Sequence, residues 1–175
     1  MSYDTISKMF DYVTSNNSQK HLYYYKKNEH WLGLTGSDIR NTVESISYGL
    51  RSLNIEPGQN ISILSNNTPR WAMSDYGIIC SGSSTVSIYP TLTASQIEYI
   101  LNDSQTSLIF VENNEQKEKV QSIWEKCPNL KYIILLDDFN KLKDSSNILS
   151  FEAFLKLGLD FKKESNIEFK DLVNT

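Results

Sequence analysis

Apolar and polar positions alternate with two different periods along this chain, and the changes of period mark its elements. Residues 4–14 place Ile6, Met9, Phe10 and Val13 at helical spacing, which predicts a short amphipathic helix docked on the body of the domain. From Lys20 to Leu34 two β-prone runs flank a polar Lys-Lys-Asn-Glu turn, the signature of a hairpin. Thr35-Gly36-Ser37-Asp38 then has the form of a capping box, with Thr35 as N-cap and Asp38 reaching back from the third position. The helix it opens carries Ile39, Val43, Ile46, Leu50 and Leu53 in one apolar stripe. Asn54 stops it in a left-handed turn, and Pro57-Gly58 leads into the next strand.

The following stretch repeats one grammar. Short β-prone runs fall at Ile61–Leu64, Thr85–Ile88, Leu108–Val111 and Tyr132–Leu136, separated by helical segments at Pro69–Cys80, Ala94–Leu101 and Glu115–Lys126. Strands alternating with helices of this length build βαβ units and a parallel sheet. Three helix starts support the assignment: Thr68 before Pro69, a second capping box at Thr93-Ala94-Ser95-Gln96, and Asn113-Asn114 before the third helix. On the first of these helices the pattern places Trp71, Ala72, Asp75, Tyr76, Ile79 and Cys80 on one side. A carboxylate there calls for a hydrogen bond to a neighbouring loop, the alternative being a catalytic role. After Leu136 the grammar stops. Asp137–Asn147 reads as a polar loop, Ser150–Leu155 as one short capped helix ending at Gly158, and Asp160–Thr175 as a charged tail with no closing element.

The fold class predicted is therefore α/β: an N-terminal hairpin lead-in, then a mainly parallel sheet of about four strands with helices on both faces. Three parts follow along the chain: residues 1–37 as helix and hairpin lead-in, 38–136 as βα units, and 137–175 as loop, short helix and tail.

With 39% hydrophobic and 22% charged residues, the 175-residue chain has the composition of a soluble globular domain able to bury a core. A net charge of -4 argues against a broad nucleic-acid surface. Cys80 and Cys127 stand far apart and outside any metal-ligand spacing, which predicts two inert thiols in a reducing, cytoplasmic setting. His21 and His30, at the two ends of the hairpin, lack a third ligand nearby, so they read as solvated strand residues rather than metal ligands. No apolar run approaches the ~18 residues a transmembrane helix needs. Peripheral membrane contact and homo-oligomerisation stay open at this point.

Candidate chemistry is sparse. The turn after Ile61–Leu64 is Ser65-Asn66-Asn67-Thr68-Pro69, without the glycines of a phosphate-cradling loop, and neither G-x-G-x-x-G nor G-K-[ST] occurs in the chain. No G-x-S-x-G elbow is present, and no histidine follows position 30 to serve a nucleophile. Neither a catalytic residue nor a metal ligand is assigned on these grounds.

One stretch does resemble a known family. Ser65-Asn66-Asn67-Thr68-Pro69-Arg70-Trp71, Asp75, Gly82, Ile88-Tyr89-Pro90-Thr91, Ile97-Glu98-Tyr99-Ile100 and Asp103-Ser104 are similar, in this order, to the AMP-forming long-chain acyl-CoA synthetases of the adenylate-forming (AMP-binding) superfamily. Leu108–Val111 and Pro128-Asn129-Leu130 continue the likeness, which covers roughly residues 31–158. The resemblance implies the first subdomain of the large N-terminal domain of that fold. The intact enzyme would join a fatty acid to CoA, with ATP going to AMP and pyrophosphate through an acyl-adenylate, and would need Mg2+. The family's Lys-terminated phosphate loop, adenine motif, ribose-binding Asp and C-terminal-domain Lys have no counterpart in these residues. The expectation that follows is a chain inactive alone. In related short-chain synthetases the loop matching Tyr89-Pro90-Thr91 borders the CoA nucleotide, which makes these three residues the candidate cofactor contact, with Lys117 a further candidate for phosphate. The competing reading of the loop is a rigid proline turn leading into the Thr93 cap. Two rivals to the function stand beside it: a free-standing, non-catalytic binding or interaction module, and an adenylate-forming ligase for an aryl or amino acid.

Overall fold

A computed structural model describes residues 4–137 and 145–174 of the chain. Helix α1 (Ile6–Asn16) leads into a hairpin of β1 (His21–Lys27) and β2 (His30–Thr35), and α2 (Gly36–Ser52) follows directly. Then come β3 (Asn60–Leu64), α3 (Pro69–Cys80), β4 (Ser84–Ile88), α4 (Ala94–Asp103), β5 (Leu108–Val111), α5 (Asn114–Gln121), a single 3-10 turn at Trp124–Lys126 and β6 (Tyr132–Leu135). The described part closes with β7 (Ile148–Ser150), α6 (Phe151–Glu164) and α7 (Phe169–Val173).

The helix starts follow the local chemistry anticipated for them. Thr35 and Asp38 form a reciprocal capping box, as do Thr93 and Gln96, each satisfying two backbone N–H groups that the helix leaves unpaired. The Thr35 hydroxyl and backbone N–H also hold the Asp38 carboxyl below the usual carboxylate range. Thr68 caps α3 through Trp71 N–H, with Pro69 at the first helical position. Asn54 takes a left-handed φ of 56° behind α2.

Five strands, all parallel, form the main sheet in the order β4-β3-β5-β6-β7. The fifth, β7, lies between the stretch read as loop and the helix start at Ser150, where no strand is expected from the sequence. It pairs Ile148, Leu149 and Ser150 with Ile133, Ile134 and Leu135, so the backbone of β6 gains a partner on its outer side. Strand alternation divides the core into two layers. Ile61, Ile63, Leu108, Phe110 and Ile134 face a cluster built with α1, α2, α3, α6 and α7. Leu64, Ile109, Val111, Ile133 and Leu135 face a smaller one built with α4 and α5.

Four sequence readings of packing are corrected. The buried side of α3 is Met73, Ser74, Gly77, Ile78 and Cys80, because the helix lies against α2 so closely that a Cβ on Gly77 would come within 2.7 Å of the Ile46 Cβ. Helix α6 does not end at Gly158 but runs on to Glu164, and Gly158 sits at its crossing with α2. The charged tail is docked. Phe169, Leu172 and Val173 of α7 are buried, the Ser7 hydroxyl donates to the Val173 carbonyl at 3.0 Å, and the Tyr48 hydroxyl donates to the Ile167 carbonyl at 3.0 Å. On α1 the buried positions are Ser7, Phe10 and Thr14, one step round the helix from the apolar stripe, so Ile6 and Val13 face outward. Residues 138–144, the middle of the expected polar loop, lie outside the described residues.

Arg40 joins these layers. Its guanidinium pairs with Asp11 at 2.7 Å and Glu44 at 3.0 Å and lies 5.1 Å from the centre of the Phe169 ring, while Lys162 pairs with Glu44 at 2.6 Å. One charged network therefore ties α1, α2, α6 and α7 together. No helix among the described residues is long and apolar enough to cross a membrane.

Candidate functional site at the carboxyl edge of the sheet

Because all five strands are parallel, their carboxyl ends and the loops that leave them gather at one edge, where open α/β sheets hold ligands. The chain runs outward from β3 in both directions, to β4 on one side and β5 on the other, so the topological switch point lies between β3 and β5. The loops there are Ser65–Thr68 and Glu112–Asn113. A clamp holds them together: the Glu112 carboxylate accepts from Asn66 N–H at 2.9 Å and from Asn66 Nδ2 at 2.8 Å. This fixes the loop that opens α3 without any glycine.

Next along the edge stands Arg70. Its guanidinium donates to the Leu136 carbonyl at the end of β6, reaches the Glu152 carboxylate at 2.8 Å and lies 4.8 Å from the Phe151 ring centre. It thus bridges the start of α3, the end of β6 and the start of α6. Between this edge and the hairpin opens a cleft of about 1100 Å³, with Tyr25 and Lys27 on its hairpin side, Met73 and Leu155 on its apolar side, and Arg70 and Glu112 among its polar groups.

On the opposite side of the switch point, Tyr89-Pro90-Thr91-Leu92 form a tight turn closed by Leu92 N–H donating to the Tyr89 carbonyl at 3.1 Å. Tyr89 is 78% exposed and Thr91 is exposed. The turn is anchored from α5, since Lys119 Nζ donates to the Pro90 carbonyl at 2.8 Å while pairing with Glu115 at 3.2 Å. Lys117, by contrast, bonds Asn114 Oδ1 at 3.0 Å within its own first helical turn. Lys119 is therefore the lysine that meets the candidate loop, and its spacing from Glu115 on α5 was its sole mark in the sequence.

The remaining candidates lie elsewhere. Asp75 is half-exposed on α3 and makes no hydrogen bond among the described residues, so neither the loop contact nor a buried charge is found there. Its field, after burial and the neighbouring Tyr76, helps push the Tyr23 phenol up to about 12. His21 packs edge-on to Tyr24 at 5.8 Å, while His30 stands opposite Lys27 at the far end of the hairpin. Cys80 and Cys127 are buried free thiols, and burial raises both, Cys80 to about 12. Among the described residues no group of His, Cys, Asp or Glu is placed to hold a metal ion. The edge offers amides, hydroxyls, carboxylates and a lysine, which suits binding and positioning more than bond-breaking.

Comparison with known proteins agrees with this geometry. The chain is 24% identical over 161 residues to the rat (Rattus norvegicus) long-chain-fatty-acid–CoA ligase ACSBG1, an alignment covering 92% of this chain and 22% of that protein. The fold superimposes on an anthranilate CoA ligase, AuaEII, solved with anthranoyl-AMP, with a TM-score of 0.75 and 20% identity over 88% of this chain and 28% of that one. It superimposes on acetoacetyl-CoA synthetase from Streptomyces lividans with a TM-score of 0.76 and 15% identity, over 85% of this chain and 24% of that one. The chain thus spans less than a third of the length of each. The family description "AMP-binding enzyme" matches residues 10–166. With most of its length matched in this way, the chain belongs to the family of AMP-binding enzymes.

Proposed function

We propose that the protein is an acid–thiol ligase that joins a long-chain fatty acid to CoA, forming an acyl-adenylate from ATP with release of pyrophosphate and then an acyl-CoA with release of AMP. Residues 1–175 belong to the first subdomain of its large N-terminal domain, with 1–37 as helix and hairpin lead-in, 38–136 as βα units and 137–175 as loop, helix and tail. The observation that carries this reading is the similarity to a long-chain-fatty-acid–CoA ligase along 92% of the chain. The Tyr89-Pro90-Thr91 turn borders the CoA nucleotide, and Lys119, by gripping the Pro90 carbonyl, fixes the position of that turn. ATP and Mg2+ bind through parts of the protein outside these residues, so the 175-residue chain alone is inactive: stabilising a transferring phosphoryl group needs charges that these residues do not bring together. Two buried, free thiols support a reducing, cytoplasmic location.

The test is AMP release by the whole open reading frame, supplied with CoA and either palmitate, benzoate or an amino acid. Palmitate-dependent release is the expected result. Preference for benzoate or an amino acid refutes the substrate class, and no acid-dependent release refutes the ligase. Pyrophosphate exchange by the 175-residue chain above background would refute its inactivity. The cleft beside the hairpin favours a second reading, a binding module without chemistry of its own, and tight CoA binding by the isolated chain would support that instead.

A further inference from the structure

The hairpin carries chemistry that the carboxyl-edge site does not use. β1 and β2 pair with each other and not with the main sheet, so their outer half projects from the body. There Tyr24 is 65% exposed, Trp31 70% and Leu32 40%. Lys26 stands directly across from Trp31, and Tyr24, two residues before Lys26, stands across from Gly33, so all three side chains share one face. Gly33 leaves room for the His21 ring, which packs against Tyr24. Asn28 and Glu29 take φ angles of 49° and 64°, the two left-handed residues of a tight hairpin turn, which keeps the projection short and rigid.

Charge distinguishes this element from the rest of the chain. Residues 20–31 hold three lysines and one glutamate in a chain of net charge -4. Glu29 pairs with Lys26 at 2.7 Å, while Lys20 and Lys27 enter no ion pair among the described residues. Large aromatic groups with one apolar and one polar end favour the headgroup layer of a bilayer, and unpaired lysines favour its anionic lipids. The chain's net negative charge works against a nucleic-acid partner of the same sign. We propose that the hairpin is a docking element for an anionic lipid surface. Its tip enters end-on, because Leu32 lies on the opposite face from Trp31, with Tyr24, Trp31 and Leu32 in the headgroup layer and Lys27 against lipid phosphates, while Lys20 stays at the hairpin's base beside Gly36. The inference goes beyond the ligase reading and does not depend on it.

The experiment is sedimentation of the whole protein with vesicles of phosphatidylcholine alone and of phosphatidylcholine with roughly one-third phosphatidylserine. Binding to the anionic vesicles, weakened by salt, is expected. Lys27→Gln lowers the partition coefficient about fivefold, as loss of one lysine near such a surface does. Trp31→Ala lowers it about tenfold through lost apolar burial. Both positions are exposed, and matching circular dichroism and urea midpoints establish that the variants remain folded. The proposal is overturned by sedimentation no greater than without vesicles, or by variants that bind as the parent does. It is equally overturned if light scattering shows a self-associated chain that Trp31→Ala returns to monomer, since the hairpin's partner is then protein.

Discussion

Replacing Gly158 with alanine tests the central packing claim by its sign. In an exposed helix interior this change stabilises a protein by about 1 kcal/mol, because alanine restricts the unfolded chain and suits the helix better. Here the added Cβ would stand 2.8 Å from Gly49 N and 2.9 Å from the Ser45 carbonyl carbon of α2, and closer still to the Ser45 oxygen. These are backbone atoms of a helix that cannot turn aside, so α2 and α6 must separate. Gly49 meets α6 in the same way, since a Cβ there would come within 2.8 Å of the Phe154 ring. Phe154 is fully buried and packs edge-on to Phe110 at 5.6 Å, so separating the helices loosens the core layer that joins α6 to the sheet.

Overpacking of this kind costs about 1–3 kcal/mol, and the rigid backbone on the receiving side places it at the upper end before the propensity gain is subtracted. A net loss of about 2 kcal/mol follows, a fall of roughly 1 M in the urea midpoint for a typical slope. The assay is equilibrium urea unfolding followed by tryptophan fluorescence. Gly58→Ala is the control: nothing lies within 4 Å of its Cβ, but its φ is +82°, so it should cost about 1 kcal/mol through backbone strain alone. A Gly158→Ala chain as stable as the parent, or more so, would refute the close crossing of α2 and α6.

Further expectations concern the charged network, the phenols, the thiols and the candidate loop. Arg40→Gln leaves Asp11 and Glu44 half-buried without their shared cation and should cost about 2 kcal/mol in the same urea assay, so an unchanged midpoint would refute the network's role. Burial pushes the phenols of Tyr23 and Tyr48 up to about 12, from 10.0, with carboxylates near each adding to the effect. The unfolded chain ionises these groups first, so their contribution to stability is complete below pH 10 and declines as pH rises towards 12. Absorbance at the phenolate band should show a late-titrating component from Tyr23 and Tyr48, which Tyr23→Phe and Tyr48→Phe each diminish; its absence would contradict the burial. Cys80 and Cys127 should react with a thiol reagent at neutral pH only as the chain unfolds, and fast labelling of either in the native state would contradict their seats in the core. Lys119→Met in the whole protein should raise KM for CoA several-fold while leaving kcat unchanged, and a fall in kcat alone would mean the turn is not a CoA border.

The elements legible in the sequence are those whose ends are set by neighbouring residues. Thr35 with Asp38, Thr68 with Pro69 and Thr93 with Gln96 determine helix starts through bonds three residues long, and all three are formed. What escaped sequence reading depends on distant partners. Strand β7 is three residues without alternation, and its pairing with β6 makes it a strand. Gly158 obeys the local rule for a helix end until α2 is brought alongside. Ser7 and Thr14 are poor core residues by composition, yet each is buried with its hydroxyl bonded to a carbonyl, of Val173 and Phe10 respectively, while apolar Ile6 faces out. A buried polar group with a partner costs little, so the face of α1 follows what packs on it: α2 through Arg40, α3 through Tyr76, and α7, a partner more than 150 residues away.

The candidate site divides along the same line. Tyr89-Pro90-Thr91 could be singled out because it leaves the end of a parallel strand and resembles a loop of the family at that point. Which lysine serves that turn could not be read, since Lys117 and Lys119 have the same chemistry and differ by two helical positions. At 3.6 residues per turn two positions are about 200°, nearly opposite sides of the helix. Only the lie of α5 beside β4's exit loop decides between them, and it selects Lys119. The Glu112–Asn66 clamp is hidden for the same reason: its members are 46 residues apart and meet because β3 and β5 are neighbours in the sheet. A switch-point loop without glycine is thereby held by a carboxylate on the next strand's exit. That arrangement gives this edge a fixed shape before any ligand arrives.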